Sequence, residues 1–430
     1  MTEESPREIA VRVLAHREKT NLYVEQLLDR ELAQHRLSAP DRGLCQELVF
    51  GITRWQRTLD WLLARKTGGR NQNVTIRFLV ELGLYQMFWL QRIPDHAAVH
   101  ETVELGKRLG FGARAGFLNA VLRGYARERD QTKLLLEELK QSDPALGYSH
   151  PEWLVKRWEE RWGREETLNL LQWNNSPAPV FARVNRLKTD FAGLEDRWRK
   201  EGFEFEERNY DWVEPQLVFE LRSHPPLAES ESFQDGFFYV QDPSTLLAVE
   251  QLSPQPGETI LDLCAAPGGK TTYIAQRMEN RGRVVACDAQ PGRLKLVQEN
   301  CARLGVTCVE TANLPENGVQ VIRILVDAPC SNTGVLRRRV DLRWRVQAAE
   351  IARLRKAQLA LLAQAAPLLK PGGVLVYSTC SMEPEENQEV AKEFLAAHPE
   401  FHLDAERQLL PFTDNVDGAY VARFKKQTTQ

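Results

Sequence analysis

The spacing of apolar residues changes along the chain from a helical pattern to a strand-like and then a mixed one. Over residues 1–130 the apolar positions follow a helical period, and no strand-like alternation interrupts them. This pattern predicts an all-α domain of about six helices. Its first helix should begin at Ser5, because Ser5-Pro6-Arg7-Glu8 reads as a capping box. Residues 131–178 stay helical and predict a linker.

Beyond residue 178 the apolar period shortens. Residues 179–240 hold short alternating stretches around one helical segment, which predicts a small α+β subdomain. Over 241–430, continuous apolar runs alternate with helical segments. Such alternation is typical of a mostly parallel sheet covered by helices on both faces. Ligands of these sheets bind beyond the carboxyl ends of the strands.

Composition narrows the class of protein only a little. The net charge of −3 over 430 residues does not indicate a nucleic-acid partner, although residues 1–130 carry 20 basic against 16 acidic side chains. The acidic start is unlike a signal peptide, and no apolar run is long enough to span a membrane. Seven cysteines without Cys-x-x-Cys spacing argue against a metal site or disulfide framework and predict a cytoplasmic protein.

A glycine loop between a strand and a helix, at residues 261–272, is the feature around which the last domain is organised. Gly269-Lys270-Thr271 resembles the end of a phosphate-binding P-loop, but Cys264 stands where that loop needs glycine. The alternative is a nucleoside cofactor of the S-adenosylmethionine kind. Asp288, at the end of the next strand, would then bind the ribose hydroxyls.

Two further strands each end at a cysteine. Asp327-Ala-Pro-Cys330-Ser331 ends one, and Ser378-Thr-Cys380-Ser381 ends the other. A single strand-end cysteine is usually a small buried apolar residue. Two of them with polar neighbours at the ligand edge of one sheet favour covalent catalysis. The residues alone do not say which cysteine attacks.

These motifs resemble those of a known family. The stretches 262–270, 327–331 and 379–381 are similar to the signatures of RNA cytosine-C5 methyltransferases, the NOL1/NOP2/Sun family, and 241–244 resembles the motif that opens their catalytic domain. The helical N-terminus resembles a NusB-like RNA-binding domain. This domain together with the methyltransferase motifs resembles the arrangement of bacterial 16S rRNA methyltransferases.

The resemblance implies the fold and the reaction. It implies an α/β Rossmann-like S-adenosylmethionine methyltransferase domain with a mostly parallel seven-stranded sheet at 241–430, and an RRM-like α+β subdomain at 179–240. An all-α NusB-like domain at 1–130 and the helical linker at 131–178 precede them. The expected activity is methylation of a cytosine at C5 in 16S rRNA, or in a small-subunit assembly intermediate, by a monomer.

The resemblance also assigns site residues. Cys380 would add to C6 of the cytosine, Cys330 would be needed for product release, and Asp327 would contact the ring at N3 and N4. Lys270 is a plausible support for the thiolate. The expected cofactor-binding residues are Cys264, Ala265, Ala266, Pro267, Gly268, Gly269, Lys270, Asp288, Arg293, Asn313 and Asp327.

Basic residues supply the candidates for RNA contact. Charged helix faces such as those of the helical domain are more often solvated than bound to RNA. The arginines of the loop after Cys330 are open to both interpretations, a solvated loop or contact with RNA phosphates. The candidates are Arg42, Arg54, Arg114, Arg123, Arg337, Arg338 and Arg343.

Three positions depart from the family pattern, and other functions stay open. Asn313 stands where an aspartate usually contacts the adenine, Val340 replaces a common proline, and Tyr273 replaces a histidine. A P-loop hydrolase, a non-enzymatic RNA-binding factor and a tRNA-specific methyltransferase are the alternatives.

Overall fold

The computed structural model describes residues 4–313 and 320–428, which divide into two compact units. The first contains the described residues up to Ser176 together with Leu336–Arg345. The second contains Pro177–Val335 and the described residues from Val346 onward. The short segment 336–345 therefore belongs with the helical unit, although the sequence places it inside the predicted methyltransferase domain.

Helices alone build the first unit. They are α1 (Pro6–Arg17), α2 (Val24–Gln34), α3 (Ala39–Arg54), α4 (Gln56–Thr67), α5 (Val74–Trp89), α6 (Asp95–Gly106), α7 (Ala115–Arg127), α8 (Arg129–Ser142), α9 (Pro144–Gly147) and α10 (Glu152–Asn175). The predicted start of α1 is confirmed, because Ser5 Oγ accepts from Glu8 N at 3.3 Å and Pro6 occupies the first turn. The apolar faces of α1 to α7 share one buried core.

The segment 336–345 is held in this helical unit by buried polar contacts. Asp341 is fully buried; its Oδ1 accepts from Arg17 Nε at 2.6 Å, and its Oδ2 accepts from the backbone N–H of Val24 at 3.0 Å. Val340 joins the apolar core of the helices. Trp344 Nε1 donates to the carbonyl of Thr53 at 2.6 Å. The segment is thus an integral part of the unit.

The second unit begins with a four-stranded antiparallel sheet in the order β2-β3-β1-β4. The chain alternates as βαββαβ, which confirms a small α+β arrangement. The elements are β1 (Val180–Val184), α11 (Phe191–Glu201), β2 (Glu204–Glu207), β3 (Val218–Ser223), α12 (Glu231–Gln234) and β4 (Phe238–Val240).

A seven-stranded sheet with helices on both faces follows, in the order β10-β11-β9-β8-β5-β6-β7. Among the described strands, β5 to β9 pair in parallel and β11 runs antiparallel to both β9 and β10, so the predicted mostly parallel sheet is confirmed. Its strands are β5 (Thr259–Asp262), β6 (Arg283–Ala286), β7 (Val309–Thr311), β8 (Val321–Asp327), β9 (Leu369–Thr379), β10 (Phe401–Leu409) and β11 (Ala419–Lys426). The helices of this part are α13 (Leu247–Leu252), α14 (Gly269–Arg277), α15 (Pro291–Leu304), α17 (Ala348–Ala365), α18 (Gln388–Ala397) and α19 (Pro411–Asp414). The short helix α16 (Leu342–Arg345) belongs to the segment 336–345 of the helical unit.

The strand order puts the ends of β5, β6, β8 and β9 at one edge of the sheet. Parallel neighbours end on the same side, so the loops that carry the predicted site residues meet there. In the described residues, no helix is both long and apolar enough to cross a bilayer.

Candidate active site

The glycine loop leaves β5 at Asp262 and enters α14 at Gly269. Gly268 has φ +106°, and a Cβ there would lie 3.2 Å from the backbone of Val297, so glycine is required on both counts. The backbone N–H of Gly268 donates to Ala265 O at 2.8 Å and closes the turn. The loop therefore brings bare backbone and the positive end of α14 to the sheet edge.

Charged side chains that follow β6 hold this loop from the far side. Asp288 Oδ2 accepts from Ala266 N at 3.2 Å, and Arg293 Nη2 donates to Ala266 O at 2.9 Å. The two side chains also pair with each other at 3.5 Å. The structure thus brings Asp288 and Arg293 together with the loop, as their predicted role in cofactor binding requires. Asn313 is exposed, and its backbone carbonyl accepts from Cys287 Sγ at 3.3 Å.

Asp262 lies beneath the loop and is almost fully buried. Its Oδ2 accepts from Thr271 Oγ1 at 2.7 Å, whereas Oδ1 has no hydrogen-bond partner among the described residues. Burial raises the pKa of Asp262 from 3.8 to about 7, with the charge of Asp327 adding to the rise. Burial also raises the pKa of Cys264, so that this cysteine stays a thiol.

Asp327, at the end of β8, forms the polar centre of the site. Lys270 Nζ lies 2.6 Å from Asp327 Oδ2, and Ser378 Oγ donates to Asp327 Oδ1 at 2.8 Å. Burial works to lower the pKa of Lys270, but the attraction of Asp327 outweighs it and raises the pKa overall. Lys270 is therefore a fixed ammonium, and Asp327 is oriented from two sides.

The two strand-end cysteines meet. Cys330 Sγ and Cys380 Sγ are 3.2 Å apart, and Cys380 Sγ donates to Asn332 Oδ1 at 2.9 Å. Cys330 is buried and Cys380 half-buried. The hydrogen bond with Cys380 and burial raise the pKa of Cys330 well above its usual value. Asn332, which the sequence did not single out, has φ +58° and donates through Nδ2 to Cys330 O at 2.6 Å.

A pocket opens beside this pair. Lys270, Asp327, Ser378 and Cys380 line one side of it, while Cys330 is not among the described residues that line it. The other lining residues come from the start of the sheet domain, the loop after β8, the last residue of β9 and the end of the domain. They are Asp242, Ser244, Thr245, Ala248, Val335, Thr379, Asp417, Ala419, Tyr420 and Val421. The accessible thiol of the pair is thus that of Cys380.

Arg183 is a supporting residue that sequence reasoning missed. It projects from β1, is almost fully buried, and donates to Gly269 O at 2.9 Å and to Thr272 Oγ1 at 3.2 Å. Its guanidinium lies 4.7 Å from the ring centroid of Tyr273 and 5.3 Å from that of Tyr239. Tyr273, noted as a departure from the family pattern, thus helps to hold the arginine that braces the start of α14.

Two of the basic residues predicted to bind RNA are buried, and that prediction is wrong for them. Arg343 is 0% exposed, and Nη1 donates to Arg54 O, Ser149 O and Asn175 Oδ1 while Nη2 donates to Asn174 O, at 2.8–3.1 Å. Arg337 is 3% exposed, and its guanidinium lies 3.7 Å from the ring centroid of Trp173. Neither guanidinium is accessible to a phosphate.

The remaining basic candidates differ in exposure. Arg42, Arg114 and Arg123 are exposed on the helical unit, whereas Arg338 is half-buried. Arg54 is half-buried and donates to Arg337 O at 3.3 Å.

Comparisons with known proteins cover the whole chain. Residues 249–425 match the family described as 16S rRNA methyltransferase RsmB/F, 4–127 match the NusB family, and 150–212 match the RsmF/B-like ferredoxin-like domain. The probable ribosomal RNA small subunit methyltransferase B of Bacillus subtilis is 36% identical over 99% of this chain and 100% of its own length.

One further curated protein and one solved structure are also similar to this chain over most of their own length. The ribosomal RNA small subunit methyltransferase B of Cronobacter sakazakii is 38% identical, with 92% of each chain covered. The crystal structure of a methyltransferase homologue from Pyrococcus horikoshii superposes with a TM-score of 0.58 at 30% identity, over 66% of this chain and 98% of that one.

Proposed function

The chain belongs to the 16S rRNA methyltransferase RsmB/F family, and from this premise we propose how its pocket carries out the reaction. The enzyme methylates a cytosine of small-subunit rRNA at C5 and uses S-adenosylmethionine. This cofactor, when bound, supplies a methyl group that its sulfonium makes electrophilic. The observation that carries the proposed mechanism is the Cys330–Cys380 pair beside Asp327.

The residues around the glycine loop fit such a cofactor. The loop 264–270 presents backbone N–H groups at the start of α14, and Asp288 offers a carboxylate to ribose hydroxyls. The buried and unpartnered Oδ1 of Asp262 marks a polar site next to the loop. Arg293 would fix the loop from outside, and Asn313 would accept from an adenine amino group through its amide oxygen.

Cys380 is proposed as the nucleophile because its thiol reaches the pocket and that of Cys330 does not. Cytosine C5 is a weak nucleophile until a thiolate adds to C6 and makes C5 enamine-like. The ammonium of Lys270 and the S–H of Cys330 are the groups in the site able to stabilise a thiolate on Cys380. The target base has to leave its stack to reach them.

Asp327 is proposed to hold the cytosine ring at N3 and N4. Ser378 and Lys270 fix its two oxygens, so the carboxylate presents a defined edge to the base. The proton that Cys380 loses on attack would pass by way of Asp327 to N3, which withdraws electrons from C6 and favours the addition. After methylation the C5 proton must leave and the C6–S bond must break. Cys330, whose sulfur adjoins that bond, is proposed to assist this release.

For the RNA, Arg42, Arg114 and Arg123 are proposed as phosphate contacts, since all three are exposed on the NusB-like unit. We further propose that the enzyme is a cytoplasmic monomer that acts on 16S rRNA or on a small-subunit assembly intermediate.

The mechanism is tested by replacing each cysteine in turn. Cys380→Ala should abolish methyl transfer to 16S rRNA while S-adenosylmethionine binding is retained. Cys330→Ala should accumulate a denaturant-stable protein–RNA adduct. Cys308→Ala, a half-buried cysteine that does not line the pocket, is the control. Native turnover by Cys380→Ala, or normal release of methylated RNA by Cys330→Ala, would refute the assigned roles.

A further inference from the structure

A buried carboxylate outside the pocket connects the two cysteine loops. Glu386 lies in the turn between β9 and α18 and is 0% exposed. Its Oε1 accepts from the backbone N–H of Ser331 at 2.9 Å and from Gln358 Nε2 at 3.1 Å. Its Oε2 accepts from the hydroxyls of Ser331 and Ser381, the latter at 2.6 Å. One side chain therefore receives four hydrogen bonds.

The partners of this carboxylate adjoin the reacting sulfurs. Ser331 follows Cys330 directly, and Ser381 follows Cys380 directly. The two serine hydroxyls are 3.1 Å apart, close to the separation of the two sulfurs. Gln358 also donates to Pro329 O at 2.9 Å, which ties the residue before Cys330 to the same group. Both loops are thus fixed to one anchor.

Glu386 is itself held in place by its neighbours. Tyr377, fully buried in β9, donates its hydroxyl to the backbone carbonyl of Glu386 at 2.6 Å. Burial raises the pKa of Glu386, and the four donors that bind the carboxylate offset part of this rise, because they favour the ionised form. Movement of Glu386 would take the charged acceptor from two buried hydroxyls and from the backbone N–H of Ser331, which is costly.

We propose that Glu386 is a positioning residue that sets the separation of Cys330 and Cys380 for the two halves of the reaction. This inference rests on the proposed roles of the cysteines. Addition of one thiol at C6 and assistance by the other in release both need the sulfurs to meet the same base. The hydrogen bond that Cys330 makes with Cys380 and burial raise the pKa of Cys330 most, and the negative charge of Glu386 adds to this rise.

Glu386→Gln tests this proposal, because it preserves shape while placing an amide N–H₂ against groups that now donate. The expected result is a fall in kcat of at least tenfold, with KM for RNA and S-adenosylmethionine within twofold of native. The fraction of enzyme trapped on RNA that contains 5-fluorocytidine should fall in parallel. Glu389→Gln is the matched control, an exposed glutamate three residues further on, and should behave as native.

A second variant covers the possibility that Glu386→Gln fails to fold. The double variant Ser331→Ala/Ser381→Ala leaves Glu386 in place and removes both hydroxyl contacts, and it should lower kcat at least fivefold at unchanged KM. Native kcat in this variant, or in folded Glu386→Gln, would overturn the proposal. Cys380→Ala is measured alongside. If it were active, the proposed function would fail; if it is inactive while the Glu386 variants turn over normally, only the positioning role fails.

Discussion

Replacement of Asp341 by asparagine should loosen the helical unit, although residue 341 lies far along the sequence from its helices. The carboxylate of Asp341 is 0% exposed and pairs with Arg17, whose side chain is 8% exposed. Its other oxygen accepts from the first backbone N–H of α2, at Val24, and forms an ion pair with Arg345 Nη2 at 3.0 Å. Asparagine keeps the shape of the side chain but has to turn an N–H₂ toward one of these donors.

The magnitude follows from the burial of the pair. Breaking a buried ion pair by removing one charge costs about 3–5 kcal/mol, because the other charge stays buried without compensation. At 1.36 kcal/mol for each factor of ten, this increases the equilibrium constant for opening of the affected helices by roughly 2.2 to 3.7 orders of magnitude. The loss should be local to α1 and α2, since Arg17 ends the first and Val24 begins the second.

Hydrogen exchange followed by mass spectrometry measures this opening directly. Peptides from α1 and α2 of Asp341→Asn should exchange faster by the factor above, while peptides from β5 and β8 stay at native rates. Glu104→Gln is the control, because Glu104 and its partner Lys107 form an exposed pair in the same unit. Exchange in α1 and α2 within threefold of native would refute the reasoning.

Two further predictions concern the cofactor loop. For Asp262, whose pKa is raised from 3.8 to about 7, the stabilising contribution is complete below the unfolded pKa and is lost as pH rises through 7. Asp262→Asn should therefore raise the free energy of unfolding of the cofactor-free protein by up to about 4 kcal/mol at pH 8 and change it little at pH 4. Thermal unfolding at the two pH values measures this difference, and an equal shift of the midpoint at both would contradict the reasoning. Arg183→Met removes the donors to Gly269 and Thr272, and calorimetry should show S-adenosylmethionine binding weakened about tenfold, the equivalent of one charged hydrogen bond. Arg186→Met, an exposed neighbour, should bind as native does.

The general architecture was predictable because it depends on local periodicity and on the geometry of parallel sheets. A change in apolar spacing marks the passage from helices to a mixed sheet, and parallel neighbours place Asp327, Cys330 and Cys380 at one edge. The apolar pattern does not predict the strand β10, since five of its nine residues are polar and most of its side chains are not buried. Its pairing with β11 is a tertiary effect.

The side chains that hold the site were not predictable in the same way. Arg183 and Glu386 act through partners that are distant in sequence, Gly269 and Ser331, and nothing in their local pattern distinguishes them from exposed charges. The prediction that Arg343 contacts RNA was wrong for the same reason. A run of arginines predicts a solvated or RNA-binding loop, but the carbonyls that accept from Arg343 include one of α10 and one of the turn after α9, which the sequence pattern does not bring to it.

The choice between the two cysteines shows what the structure adds to the motifs. The motifs treat them alike, as polar strand ends with a serine after each cysteine. In the structure, Cys330 is buried with its pKa raised, and it adjoins the buried carboxylate anchor through Ser331. Cys380 is half-buried, lines the pocket with Lys270, and donates to Asn332. Glu386 binds the serine after each cysteine and so does not distinguish the two. The proposed attack by Cys380 is supported instead by its place in the pocket with the ammonium of Lys270, and the raised pKa of Cys330 supports its role as a protonated partner.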